Sequence, residues 1–426
     1  MAQVRLKLGL IFLAVILWGT SAVQAADEKD WRDGLPFSLN GFVEGGFGIR
    51  TQNDPNHHHD VDYAELRLQL EASKALDWAE FKFRLDLFRD EGLHEFNADL
   101  REAHVLFTPS DFVDFKIGRQ ILTWGTGDLV FLNDLFPKDF QSFFIGREES
   151  YLKAPSNSIK SSFYSDFFNL DLVWNPLFNS DRFINGERLS FFNPFLGRKV
   201  GEREELSSRE PEGALKDSEI HLRAFKNVKG YELALYGYYG FFKNPGGFNL
   251  AGEAIFPRLA VYGASIRGNV LKGIGNIEVA YYDSLKDQGG TNPLISNSQF
   301  RFLAGYTQEL VTDFNIGFQY YLEHRVHHDR FIRSLPPGAF AQDENRHTLT
   351  VRLTQMLLQQ NLSLSLFTFY VPSDGDAYLR PIVNYKVSDS WSATLGANIF
   401  TGDSQNTFFG QLEDNSNVYA RVRYSY

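Results

Sequence analysis

Strict period-two alternation, sustained over runs of membrane-crossing length, constrains this chain more than any other feature. Residues 62–75, "DYAELRLQLEASKA", put Ala64, Leu66, Leu68, Leu70 and Ala72 on one face. Glu65, Arg67, Gln69, Glu71 and Ser73 fall on the other, as they must in a β-strand. Residues 78–88 repeat the pattern, with Ala79, Phe81, Phe83, Leu85 and Leu87 opposite Glu80, Lys82, Arg84 and Asp86. A tight connection near Leu76–Asp77 joins the two runs. If they pair as a hairpin about it, Arg67 meets Asp86 and Glu71 meets Lys82. Similar runs continue to the C-terminus, including 314–323 and 348–353. There are on the order of 18 of them, most about 9–12 residues long, the length a tilted strand needs to cross a bilayer.

A soluble β-sandwich also alternates, but it buries one face in a limited core. Here every run has an apolar face, and no break in the pattern divides the chain. The expected fold is therefore all-β: a transmembrane antiparallel up-and-down β-barrel of about 18 strands, apolar outside and polar inside. The first residues agree with export. Arg5 and Lys7 precede an apolar run at 8–18, "LGLIFLAVILW", and "VQA" at 23–25 offers a cleavage site. The expected organisation is a signal peptide at 1–25, a short periplasmic segment at 26–37 and a single barrel domain at 38–426. Without Arg5 and Lys7, 40 basic residues face 53 acidic ones, a net charge of −13, which argues against a nucleic-acid partner. There are no cysteines, so disulfides, thiolate chemistry and cysteine metal sites are excluded.

The connections alternate as well. Those after even-numbered runs are short, such as 75–78, 271–275 and 388–390. Most of those after odd-numbered runs are long: 51–61, 122–156, 175–217, 241–257, 284–297, 326–344 and 401–415. Only 89–96 and 372–376 are shorter. Short periplasmic turns opposite long outer loops are the outer-membrane arrangement, with both termini on the periplasmic side. The last run, "SNVYARVRYSY", puts Val418, Ala420, Val422, Tyr424 and the terminal Tyr426 on one face. It resembles the C-terminal aromatic strand signal that the assembly machinery of Gram-negative outer membranes reads.

The third outer loop, 122–156, is too apolar to stand in water. It holds Leu129, Val130, Phe131, Leu132, Leu135, Phe136, Phe140, Phe143, Phe144 and Ile145. Residues 137–145 read as a short helix, with Pro137 at its first position and Gly146 at its C-cap. Gly118, Gly125 and Gly127 permit a sharp re-entry. The loop is expected to fold inward and narrow the lumen, with Gln120, Trp124, Phe131, Phe136, Phe140 and Phe144 forming the constriction. An outer lid or a partner interface is the alternative. Trp124 is expected either to anchor at the membrane interface or to wedge the loop against the wall. The stretches "GRQILTWG", "LNDLFPKDF" and "YLKAPSNSIKSSFY" resemble the signature of a porin-like Gram-negative outer-membrane family of unknown function. The shared elements are G-[RK]-Q, W-G and a P-x-D segment, with a more distant similarity to alginate-export barrels. The match spans roughly residues 111–175, and the middle motif reads Asn133-Asp134-Leu135-Phe136-Pro137-Lys138-Asp139, with Leu-Phe before the proline. The resemblance implies a channel or transport barrel and names no substrate.

By parity the inward charges include Arg67, Arg84, Arg223, Arg267, Arg301, Arg346, Arg352, Arg380, Arg421 and Arg423. Carboxylates facing them include Glu44, Glu65, Glu71, Glu80, Asp86, Asp114, Glu219, Glu278 and Glu323. Arginine dominates from the tenth strand onward, and such a wall favours polar or anionic solutes. The competing reading is that these charges satisfy one another across neighbouring strands. The acidic stretch 201–213, "GEREELSSREPEG", reads as a solvated loop. His57, His58 and His59 with Asp60, and His324, His327 and His328 with Asp329, have the residue types for a divalent metal. Their spacing lies in flexible loops and is undemanding, so neither metal nor cofactor is expected. His104 and His221 face inward, but no motif sets a nucleophile beside them, and an enzyme is not expected. The functional expectation is a porin-like channel for passive diffusion of small polar solutes, with an export channel, a sheath for a partner, or a barrel hydrolase as alternatives. The expected partners are outer-membrane lipid and lipopolysaccharide, the assembly machinery acting through the strand that ends at Tyr426, and a small solute.

Overall fold

A computed structural model describes residues 31–426. The expected signal peptide and the first residues of the periplasmic segment lie outside the described residues. Trp31–Gly34 form one turn of 3-10 helix. The chain then builds one ring of eighteen antiparallel strands. They are β1 (Ser38–Arg50), β2 (Val61–Ala75), β3 (Glu80–Asp90), β4 (Glu95–Ser110), β5 (Val113–Gln120) and β6 (Ser156–Phe163). Then come β7 (Asn169–Asn175), β8 (Glu219–Val228), β9 (Tyr231–Phe241), β10 (Arg258–Val270), β11 (Gly273–Ser284) and β12 (Gln299–Val311). The last six are β13 (Phe314–Arg325), β14 (Asn345–Leu357), β15 (Leu362–Val371), β16 (Asp376–Lys386), β17 (Trp391–Gly402) and β18 (Asn417–Ser425). Each strand pairs with its sequence neighbours, and β1 closes on β18 through nine residue pairs, Phe42↔Ser425 to Arg50↔Asn417. Closure leaves no sheet edge, so every ladder hydrogen bond is made inside the ring.

The alternation sorts the residues by chemistry. Leu66 and Leu235 are 60% and 65% exposed and point outward, with Val43, Phe47, Ile277 and Leu395. Their strand neighbours Arg67, Ala234, Glu278 and Glu44 point inward and are buried. The connections at one end are short turns, such as Leu271–Lys272 and Thr312–Asp313, and the long segments gather at the other.

Two local expectations are corrected. The β2–β3 hairpin turns about one residue later than the sequence suggests, so the register shifts by two. Gln69 lies opposite Asp86, and Glu71 opposite Arg84. The shift is even, so no side chain changes face. Arg67 still reaches Asp86, at 2.5 Å, and Lys82 still reaches Glu71, at 3.3 Å, because long side chains span the diagonal. The helix expected over 137–145 is only Phe140–Ile145, α1 (the helix before β6). Asp139 caps its N-terminus by accepting from the Ser142 N–H at 2.8 Å, while Lys138 and Asp139 are held as isolated bridges to Lys153 and Arg182. Gly146 does take the left-handed C-cap, at φ 98°. A feature outside those expectations is a bulge in β4 opposite Arg84 and Leu85, which inserts Arg101 and reverses the parity there. Arg101 thereby turns inward, 3% exposed, over the Tyr151 ring.

The two faces make opposite demands on a substitution. In a bilayer, Leu235→Arg is expected to lower the unfolding free energy by about 2–4 kcal/mol, since a cation at mid-strand then faces lipid. Glu232→Gln on the inward face of the same strand is expected to cost no more than about 1 kcal/mol, the scale of a partly exposed ion pair. Denaturant titration of the vesicle-inserted barrel checks this, and equal effects would contradict the assigned faces.

Candidate functional site

The candidate site is where the segment between β5 and β6 meets the inward face of the ring. The strand end that launches it depends on Gly118, whose φ of +127° is closed to other residues and whose missing Cβ lets the Ala103 carbonyl approach. Gln120 is fully buried, its Nε2 donating to the Lys116 and Ser158 carbonyls at 3.1 Å each. Trp124 meets Phe136 edge-on at 5.0 Å and faces His221 and Tyr236 on β8 and β9. It is therefore a wedge between loop and wall, and the interface-anchor alternative is set aside. Phe136 stacks on the His221 ring at 4.4 Å and is 1% exposed. Phe131 is only half-buried and carries the Lys138 ammonium over its ring at 4.6 Å. Phe140 packs on Phe144 at 6.3 Å. Phe144 in turn contacts Tyr378 and Phe400 on β16 and β17, at 5.4 and 5.3 Å. The residues expected to form one constriction therefore divide between two patches. Trp124 and Phe136 pack near β8 and β9, while Phe140 and Phe144 join the cluster by β16 and β17.

Polar contacts fix the segment between these patches. The Glu278 carboxylate on β11 accepts from the backbone N–H groups of Thr126 and Gly127 and from Asn133 Nδ2. Gln319 on β13 accepts from the Asp128 N–H at 2.7 Å and donates to its carbonyl at 2.8 Å. Farther along, the Phe144 carbonyl accepts from Asn398 and Asn417 at 2.8 and 2.9 Å. Tyr151 donates to Asp86 on β3 at 2.6 Å.

All the arginines expected to face inward, except Arg267, have a carboxylate partner. Arg267 is exposed near the turn end of β10, opposite Glu232 in the ladder. Arg67 bonds Glu65 at 2.6 Å as well as Asp86, and lies over the Phe88 and Tyr151 rings. Arg84 bridges Glu71 at 2.6 Å and Glu102 at 3.1 Å. Arg223 reaches Glu232 at 2.6 Å, and Arg301 reaches Glu323 at 3.4 Å. Arg346 takes Asp374 at 2.7 Å, and Arg421 reaches Glu44 at 3.5 Å. Three pair with carboxylates of the loop itself. Arg352 binds Asp128 at 2.6 Å, Arg380 binds Glu149 at 2.8 Å, and Arg423 binds Glu148 at 2.5 Å. The planar guanidinium suits this setting, because it pairs at its edge while its face stacks on a ring. Arg352 lies over Phe367, Arg380 over Phe143 and Arg423 over Phe42.

Sequence reasoning missed Asp128, Glu148 and Glu149, because carboxylates in a loop carry no periodicity. It also missed a buried ionic cluster that ties a second loop to the first. Arg147 bonds Glu65 at 2.6 Å and Asp90 at 3.4 Å, and Arg188, from the segment between β7 and β8, bonds Asp90. That second segment also binds the first through Arg182, which reaches Asp139 at 3.0 Å. The histidine groups do not converge. His57 bonds Asp54 at 2.7 Å and faces the Gly186 carbonyl, His58 lies against Glu202, and His324 faces Asn345. Burial pushes the Asp54 carboxyl up, but hydrogen bonds from His57 and Asn56 outweigh it and hold the group at about 2.

No protein-family model matches the chain, and no curated protein matches it. Among solved structures it is similar to Acinetobacter baumannii OccAB3, at 8% identity and a TM-score of 0.54 over 91% of this chain and 98% of that one. It is also similar to Pseudomonas aeruginosa OccD3, at 12% identity and a TM-score of 0.52 over 91% and 90% of the two chains. Pseudomonas aeruginosa OccK11 matches at 10% identity and a TM-score of 0.52, over 91% and 94%. The likeness is one of fold.

Asp181 supplies a pH test of how the two loops dock. It is buried and accepts the Lys138 N–H at 2.7 Å. Burial pushes its carboxyl from 3.8 up to about 6, against the pull of the Lys138 and Lys243 ammonium groups. A value raised on folding stabilises docking fully below pH 3.8, and the contribution is lost as pH rises through 6. Hydrogen exchange at the Lys138 amide, corrected for intrinsic rates, is therefore expected to lose protection between about pH 4 and 7 in the native chain. Asp181→Asn is expected to flatten that dependence, and an unchanged slope in the variant would remove Asp181 from the account.

Proposed function

We propose that the protein is an outer-membrane, porin-like channel for passive diffusion of small polar solutes, narrowed by the segment 122–156. One observation carries the reading. The segment is anchored on β11 through Glu278 and on β2 and β3 through Glu65 and Asp86. β3 and β11 stand eight strands apart in a ring of eighteen, nearly opposite one another. A chain fastened to both walls crosses the lumen and reduces its open section. The apolar outer face, the alternation of short and long connections and the aromatic C-terminal strand fit an outer-membrane setting. Export by a cleaved signal peptide, contact with lipid and lipopolysaccharide, and assembly through the strand ending at Tyr426 belong to the same reading. So does the loop resemblance to porin-like barrels. An export channel or partner sheath calls for a wide, open lumen, and the crossing favours a filter. A hydrolase finds little support in His221, whose ring is stacked on Phe136.

The arginine wall alone suggested anions. Apart from Arg267, its guanidinium groups are paired, however: the Arg380 side chain is 1% exposed and that of Arg423 is 19%. The partners Glu148 and Glu149 are each 40% exposed. Paired charge leaves a weak net preference, and the carboxylates stand between the arginines and the solute. In planar bilayers the refolded barrel is expected to give stepwise ohmic currents, and no conductance at all would refute the pore. Under a salt gradient, Glu148→Gln with Glu149→Gln is expected to uncover the arginines and move the reversal potential toward anions. An unmoved potential would place these residues away from the solute path.

A further inference from the structure

Glu278 is an unusual group on the inner face. It is 1% exposed, and its hydrogen-bond donors are all neutral: the Thr126 N–H, the Gly127 N–H at 3.0 Å and Asn133 Nδ2 at 2.9 Å. Several buried inward carboxylates are instead met by cations, Glu65 and Asp86 by Arg67, and Glu219 by Lys243 at 2.6 Å. An ionised carboxylate away from water is costly unless donors converge on it, and two successive backbone N–H groups form the concavity that receives an anion. Here the concavity belongs to the loop and the anion to the wall.

We infer that Glu278 is the positioning residue that seats the loop tip on the wall and thereby sets the width of the pore. This rests on the channel reading above. The tip is shaped for the contact. Gly125 has φ +82°, a conformation side chains rarely adopt, and a Cβ there would lie 3.3 Å from one Glu278 oxygen, a tight contact that would nudge the carboxylate away from the tip. Asn133 returns to the same carboxylate from the far end of the tip, so Glu278 gathers residues 126–133 at one point. The dependence is mutual: lifting the tip strips a buried charge of its donors. Of the neighbouring attachments, Gln319 holds only the backbone of Asp128, and the pair Asp128 to Arg352 is exposed, with Asp128 44% open to water that can replace its partner. Asn276 Nδ2 meets Thr126 Oγ1 at 2.9 Å beside the clasp, which supplies a place to restore it covalently.

The test is single-channel conductance of Glu278→Ala and Glu278→Gln, each confirmed as a folded barrel by heat-modifiable electrophoretic mobility. Glu278→Gln has nearly the native volume and no charge to bury, so it covers the case in which alanine prevents folding. Both variants are expected to conduct about two-fold or more above the native barrel, with added open-channel noise, because a freed loop widens the narrowest section. Adding Thr126→Cys and Asn276→Cys to the same variants is expected to restore native conductance when oxidised and to lose it again on reduction. Folded variants that conduct like the native barrel would overturn the inference and leave the channel reading standing. A native barrel that conducts nothing would instead sink the channel reading itself.

Discussion

Closure of the ring is the constraint on which the rest depends. A strand with one apolar face and one charged face cannot leave its backbone unpaired in an apolar surround, where each unsatisfied group costs several kcal/mol. Pairing β1 with β18 removes the last free edge. Once the ring is closed, alternation has only one arrangement: leucine, valine and phenylalanine outward, arginine and glutamate inward. The inner face then holds a density of charge that must be compensated within the lumen.

That compensation explains why the loops lie where they do. Arg67, Arg147 and Arg188 come from one strand and two different loops, yet they share Glu65, Asp86 and Asp90 as partners. Removing one member of such a buried set leaves a charge without its partner, a loss on the order of 3–5 kcal/mol. Apolar contacts act beside the charges. Phe143, Phe144 and Ile145 pack against Tyr63, Tyr378, Phe400 and Tyr419, which are inward-facing aromatics of the wall. The third loop thus completes the inner face, replacing water as the partner of both its charges and its rings.

Strand positions and faces were legible because period two is a local signal that each run carries independently. Arg67, Arg352, Arg380 and Arg423 could be placed on the inner face by counting. Register within the β2–β3 hairpin was less legible, since it depends on where the turn bends, and Leu76–Ala79 is compatible with more than one bend. The inward turn of Arg101 was not legible at all, because a bulge breaks the very alternation used to find it. Asp128, Glu148 and Glu149 were invisible as site residues for a related reason. Their partners lie more than two hundred residues away in the chain, and nothing in the loop encodes that distance.

By itself the sequence determined a closed barrel of about this size, the chemistry of its two faces and a third loop too apolar for water. These follow from short-range physics, namely alternation, strand length and the free energy of exposing phenylalanine. The tertiary structure alone decided that this loop is held by neutral N–H donors on Glu278, that its carboxylates cover the arginine wall, and that "GTGD" at 125–128 is the point of contact. Those outcomes depend on which walls face each other across the ring, a geometry that exists only after all eighteen strands have closed.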